Sequence, residues 1–70
     1  MTAGIQVVVN GETREVPAGL HVTGLLAHLG LPADRVAIER NLEILPRAQW
    51  LTTPVQPGDR LEIVHMVGGG

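Results

Sequence analysis

Cysteine, lysine, phenylalanine and tyrosine are all missing from the 70 residues, and Trp50 is the only aromatic ring. Without cysteine there is no disulfide framework and no thiolate nucleophile, and without lysine no side-chain amine for covalent catalysis. Any sulfur or amine chemistry must come from a partner. A core lacking Phe and Tyr has to be built from Val, Ile and Leu, which suit small sheets. Neither sign of charge dominates: the formal net charge is -2 and the five arginines are scattered, so no footprint for nucleic acid is present. No apolar run approaches the length needed to span a bilayer. Residues 1–10 lack the basic, apolar and small-residue regions of a secretory signal. The expectation is a soluble cytoplasmic protein with no nucleic-acid or membrane partner.

What is present fits one domain near the lower limit of size for a self-sufficient core. Ile5-Gln6-Val7-Val8-Val9 alternates, placing Ile5, Val7 and Val9 on one face, and Asn10-Gly11 after it is a strong hairpin signal. Glu12 to Val16 is then the returning strand, ended by Pro17-Ala18-Gly19. Val22, Leu25, Leu26 and Leu29 make one apolar helical face, with Gly30 at the left-handed cap position and Pro32 blocking continuation. The start of this helix is untidy, because His21 precedes it and the better capping residue, Thr23, lies inside. Gly24 within it costs about 1 kcal/mol relative to alanine. Val36 to Glu39 and Ile44-Leu45 read as strands, Arg47 to Leu51 as an irregular or single helical turn, and Pro57-Gly58-Asp59 as a turn. Arg60 to about His65 is the last strand, with Leu61 and Ile63 on one face and Glu62 and Val64 on the other. One helix and four or five strands share a core when the helix lies across one sheet face, an α+β two-layer arrangement.

The chain closes on Gly68-Gly69-Gly70. Three glycines bury nothing and lose the most freedom when ordered, so they make a thin end, not a stabilising one. At about 3.3 Å per residue they reach roughly 10 Å beyond the body. Free of Cβ atoms, Gly68 and Gly69 can pass into a narrow site and deliver the carboxylate of Gly70. Val64, Met66 and Val67 sit beside this end as apolar residues that either form a docking surface or pack over the sheet edge. Trp50 reads as a core cover and Arg47 as a solvated side chain. His21, His28 and His65 lack a supporting acidic or thiol cluster, so no metal site is expected. Glu39, Glu43 and Asp59 form no recognisable acid–base pair.

Taken in order, Val8-Val9-Asn10-Gly11-Glu12, Leu25-Leu26, Leu29-Gly30-Leu31, Val36-Ala37-Ile38-Glu39, Ile44-Leu45-Pro46-Arg47 with Trp50, Pro57-Gly58-Asp59 and Val67-Gly68-Gly69-Gly70 resemble the ThiS-type sulfur carrier proteins of thiamin thiazole synthesis. The resemblance implies a ubiquitin-like β-grasp fold over residues 1–67, a mixed four- to five-stranded sheet with one helix across one face, and a glycine tail at 68–70. Two positions depart from that pattern. The family commonly has Asn-Gly after the third strand, and here Asn41-Leu42 predicts a longer loop because leucine resists positive φ. His21 stands where the family favours Ser or Thr.

The resemblance also implies the chemistry. A carboxylate is a poor electrophile and must be activated. In this family a ThiF/MoeB-like adenylating enzyme transfers AMP from ATP, with magnesium, to the terminal carboxylate. A persulfide donor such as a cysteine desulfurase then supplies sulfur, giving a thiocarboxylate. That product goes to thiazole synthase. The chain itself binds no cofactor and is not an enzyme on this reading. Two related alternatives remain: the small subunit of molybdopterin synthase, whose members tend to be longer and to carry phenylalanine, and a ubiquitin-type protein modifier. A plain interaction domain with a dispensable tail is the alternative of a different class.

Overall fold

The computed structural model describes residues 4–66. Strands β1 (Gly4–Val9) and β2 (Glu12–Pro17) form the opening hairpin, with Val9 paired to Glu12 across Asn10-Gly11. Both turn residues take positive φ, 50° and 82°, as the twist-matched two-residue hairpin requires. Helix α1 (Val22–Leu29) follows and ends on Gly30 at φ 73°. There the Gly30 N–H donates to Ala27 O at 3.1 Å and the Leu31 N–H to Leu26 O at 2.9 Å, satisfying carbonyls that the last turn leaves open.

The start of α1 is secured from outside the helix. His21 occupies the N-cap with no side-chain cap bond, and Thr23 does not cap. The Val22 N–H, unpaired within any helix, donates to Thr53 O at 3.0 Å, while the Val55 N–H donates to Leu20 O at 2.9 Å. Gly24 also has a packing reason, since a Cβ there would meet Leu20 Cδ2 at 3.2 Å. The helix therefore owes its position to tertiary contacts, as its weak local signals suggest.

After a 3-10 turn at Ala33–Arg35, β3 (Val36–Arg40) and β4 (Glu43–Ile44) form a second hairpin. Here the sequence-based expectation of a longer loop is corrected. Arg40 pairs with Glu43, so Asn41 and Leu42 alone make the turn, at φ 52° and 72°. Tertiary hydrogen bonds override the reluctance of leucine. The Asn41 N–H donates to Arg60 O at 2.7 Å, its Nδ2 to Asp59 Oδ1 at 3.3 Å, and its Oδ1 accepts from the Arg60 N–H at 2.9 Å. Leu42 is carried into a left-handed conformation costing about 1–2 kcal/mol, with its side chain 78% exposed. Strand β4 ends at Ile44, one residue earlier than expected, although the Leu45 N–H still reaches Ile38 O at 2.9 Å.

A 3-10 segment, Arg47–Thr52, and a turn at Pro57-Gly58 lead into β5 (Arg60–His65). The sheet order is β2-β1-β5-β3-β4, with β1 and β5 parallel and the other pairs antiparallel. Val7, Val9, Val16, Val36, Ile38, Leu61 and Ile63 from the sheet pack with Val22, Leu25 and Leu26 of α1 in one core. Trp50 closes that core at 3% exposure and donates its indole N–H to Leu45 O at 2.9 Å. A five-stranded mixed sheet with one helix across one face is the β-grasp fold. No helix among the described residues is long and apolar enough to cross a membrane.

Candidate functional site at the end of the last strand

Gly68, Gly69, Gly70 and Val67 lie outside the described residues. What the structure places is the strand that leads to them. Strand β5 is central, held by β1 on one side and β3 on the other. Its Met66 N–H donates to Arg35 O at 2.8 Å, extending the ladder one residue past His65.

Alternation along β5 sends Leu61 and Ile63 to the core and Glu62, Val64 and Met66 to the face without a helix. Val64 is 59% exposed and Met66 53%. Val64 pairs with Ala37, and Glu39, two residues along β3, pairs with Ile44 of the edge strand. The β4 register thus turns Ile44 outward, to 77% exposure, onto the same face. A shallow apolar cleft of about 180 Å³ lies beside it, with Ala37, Ile44, Pro46, Trp50 and Met66 among its walls. Exposed aliphatic residues gathered on one sheet face next to the departing chain are the kind of surface that binds a partner.

Two acidic side chains stand on the same face. Glu39 and Glu62 are directly opposite across β3 and β5, and both are exposed. Like charges in that position destabilise a sheet, so the pair is not explained by the stability of the free chain.

Residues behind the face hold it in place. Asp59, 5% exposed, accepts from Arg40 Nε at 3.0 Å, from Asn41 Nδ2 at 3.3 Å and from the Gln56 N–H at 2.9 Å. It therefore ties the turn before β5 to the β3–β4 hairpin. Arg47 is exposed, as expected of a solvated side chain, but it is also held in place. Its guanidinium lies 4.6 Å from the Trp50 ring centroid and donates to Ala33 O and to Val36 O, the latter at 3.2 Å. Arg47 so pins the start of β3, against which the end of β5 pairs. The Pro46-Arg47 and Trp50 spacing was the signal available in the sequence, but it could not reveal carbonyls more than ten residues away. Among the described residues no group of three or more His, Asp or Glu is placed to hold a metal ion.

Comparisons with known proteins agree with this architecture. A 66-residue stretch is 46% identical to part of a thiazole synthase from Paramagnetospirillum magneticum, covering 94% of this chain. The chain spans about a fifth of the length of that relative, 20%. The sulfur carrier protein ThiS of Escherichia coli K12 is 32% identical over 66 residues, 94% of this chain and all of that one. The crystal structure of the thiamine biosynthesis protein ThiS from Geobacter metallireducens superposes with a TM-score of 0.81 at 37% identity, covering 94% of this chain and 100% of the other. The model of the ThiS family matches residues 7–70, from the first strand through the final glycines, and the chain belongs to the ThiS family.

Proposed function

We propose that this chain is a sulfur carrier of thiamin biosynthesis whose reactive group is the carboxylate of Gly70. The observation that carries the reading is the ThiS family match running through residue 70, on a chain with no cysteine or lysine to react in its place. The body is a handle and the tail is the substrate. A carboxylate oxygen of Gly70 attacks the α-phosphorus of ATP on a ThiF/MoeB-like enzyme, with magnesium, and pyrophosphate leaves. The terminal sulfur of an enzyme persulfide, such as that of a cysteine desulfurase, then attacks the acyl carbon and expels AMP. A second thiol cleaves the resulting acyl disulfide to leave the thiocarboxylate. The chain does none of this chemistry itself; it is a co-substrate.

Delivery to thiazole synthase is supported by the relative of that name, which contains a segment similar to this chain. Val64, Met66 and Ile44 form the apolar centre of the docking surface. Glu39 and Glu62 at its side favour partners that bring Lys or Arg to the rim, where charge raises the rate and selectivity of encounter.

Incubation with the adenylating enzyme, ATP, magnesium and a persulfide donor tests the reading. Mass spectrometry is expected to find one sulfur in place of one oxygen on the intact chain. Gly69→Val and deletion of Gly70 should leave the fold intact and abolish the product. Normal thiocarboxylate formation in either variant would sink the proposal, and a ladder of larger protein adducts would support a modifier. Transfer of the sulfur to a molybdopterin precursor and not to thiazole synthase would move the chain to the other carrier class.

A further inference from the structure

We infer that the edge of β5 beyond Ile63 receives an extended strand of the adenylating enzyme, paired through the backbone N–H and C=O of His65. The inference rests on the carrier reading above and adds how the enzyme holds the chain next to the reacting end.

Strand β5 uses its backbone groups alternately on its two sides. Arg60 O accepts from Asn41 N and Met66 N donates to Arg35 O, so even-numbered residues of β5 face β3. Odd-numbered residues face β1. Asp59 O accepts from Val8 N at 2.9 Å and Leu61 O from Asn10 N at 2.9 Å. β1 then ends at Val9, and the turn at Asn10-Gly11 carries the chain away. The side chain of Asn10 supplies one more rung: its Nδ2 donates to Ile63 O at 3.1 Å and its Oδ1 accepts from Ile63 N at 2.8 Å. The next outward pair belongs to His65. No group among the described residues bonds to it on this side, and the residue is exposed.

A central strand is thus bare along one edge only where it leads towards the glycines. The glycines give a partner nothing to recognise except N–H and C=O groups, and a strand laid alongside is the arrangement that reads backbone. A second copy of the chain is a poorer occupant, because Asn10 leaves a single described residue for edge-to-edge pairing.

Proline separates the backbone of His65 from its side chain. His65→Pro removes only the outward N–H, a position where sheets tolerate proline, and His65→Ala retains that N–H. Both variants should melt within a few degrees of the parent. With the adenylating enzyme, ATP and magnesium, His65→Ala is expected to bind like the parent, whereas His65→Pro should raise Kd roughly five- to tenfold. Exchange of the His65 amide in the parent should slow in the complex. Equal binding by the two variants, with unchanged exchange at His65, overturns the inference while leaving the carrier reading standing. If His65→Pro does not fold, the exchange measurement alone decides. Failure of the parent chain to be adenylated at all would overturn the carrier reading and this inference together.

Discussion

The side chain of Asn10 clasps the backbone of Ile63, 53 residues away, donating to its carbonyl and accepting from its N–H. One amide group so replaces a missing residue of β1 and fixes the central strand just before it leaves the sheet. Asn10→Gly keeps the left-handed turn, because glycine accepts φ near 50°, and deletes the clasp. Thermal or urea unfolding should show a loss of about 1–2 kcal/mol. Amide exchange at Ile63 should rise, while the first hairpin stays protected.

Leu42 is an exposed leucine in a glycine conformation. Leu42→Gly relieves left-handed strain of about 1–2 kcal/mol and gives the unfolded chain more freedom, a smaller opposing effect of about 0.4–1 kcal/mol. A net gain of about 0.5–1 kcal/mol is expected in denaturant unfolding. A loss would mean that the side chain contributes contacts in the folded protein.

Asp59 is the buried carboxylate at which Arg40, Asn41 and Gln56 converge. Asp59→Ala leaves those donors without their acceptor and should cost about 2–3 kcal/mol, discounted from a fully buried pair because Arg40 is partly solvated. The two-residue turn at Asn41-Leu42 should loosen with it, seen as lost exchange protection at the Asn41 amide.

Arg47→Met preserves much of the length and apolar stem while removing the guanidinium above Trp50 and its bonds to Ala33 and Val36. A destabilisation of about 1–3 kcal/mol is expected, from stacking and charged hydrogen bonds together. Trp50 emission should change even where the chain stays folded, as the ring loses its cationic cover.

Glu39 and Glu62 oppose each other across β3 and β5. Glu62→Gln should stabilise the free chain by a few tenths of a kcal/mol. The same change should slow association with the adenylating enzyme and flatten its dependence on salt. An unchanged association rate would remove these carboxylates from the docking surface.

Local pattern carried much of the fold. Asn10-Gly11 marked the first hairpin, the spacing from Val22 to Leu29 with Gly30 marked α1 and its end, and alternation from Arg60 marked β5. Non-local bonds decided the rest. Nothing near Asn41-Leu42 announces a two-residue turn, because the groups that enforce it, Asp59 and Arg60, lie some 18 residues away. The bonds of the exposed Arg47 were not legible, because its acceptor carbonyls belong to the start of β3 and the turn before it. Ile44 faces outward because of its register with Glu39, which two residues of strand cannot express alone. At the site, Val64 and Met66 followed from alternation, whereas the acidic pair and the bare edge at His65 needed the sheet order.

The position of β5 between β1 and β3 has a consequence for synthesis. During translation β5 emerges after every other described element, yet the two hairpins share no strand pairing until it inserts between them. A nascent chain stopped short of residue 60 holds two separate hairpins and an unsupported helix, each marginal alone. Completion of the sheet therefore waits for the segment that carries the glycines.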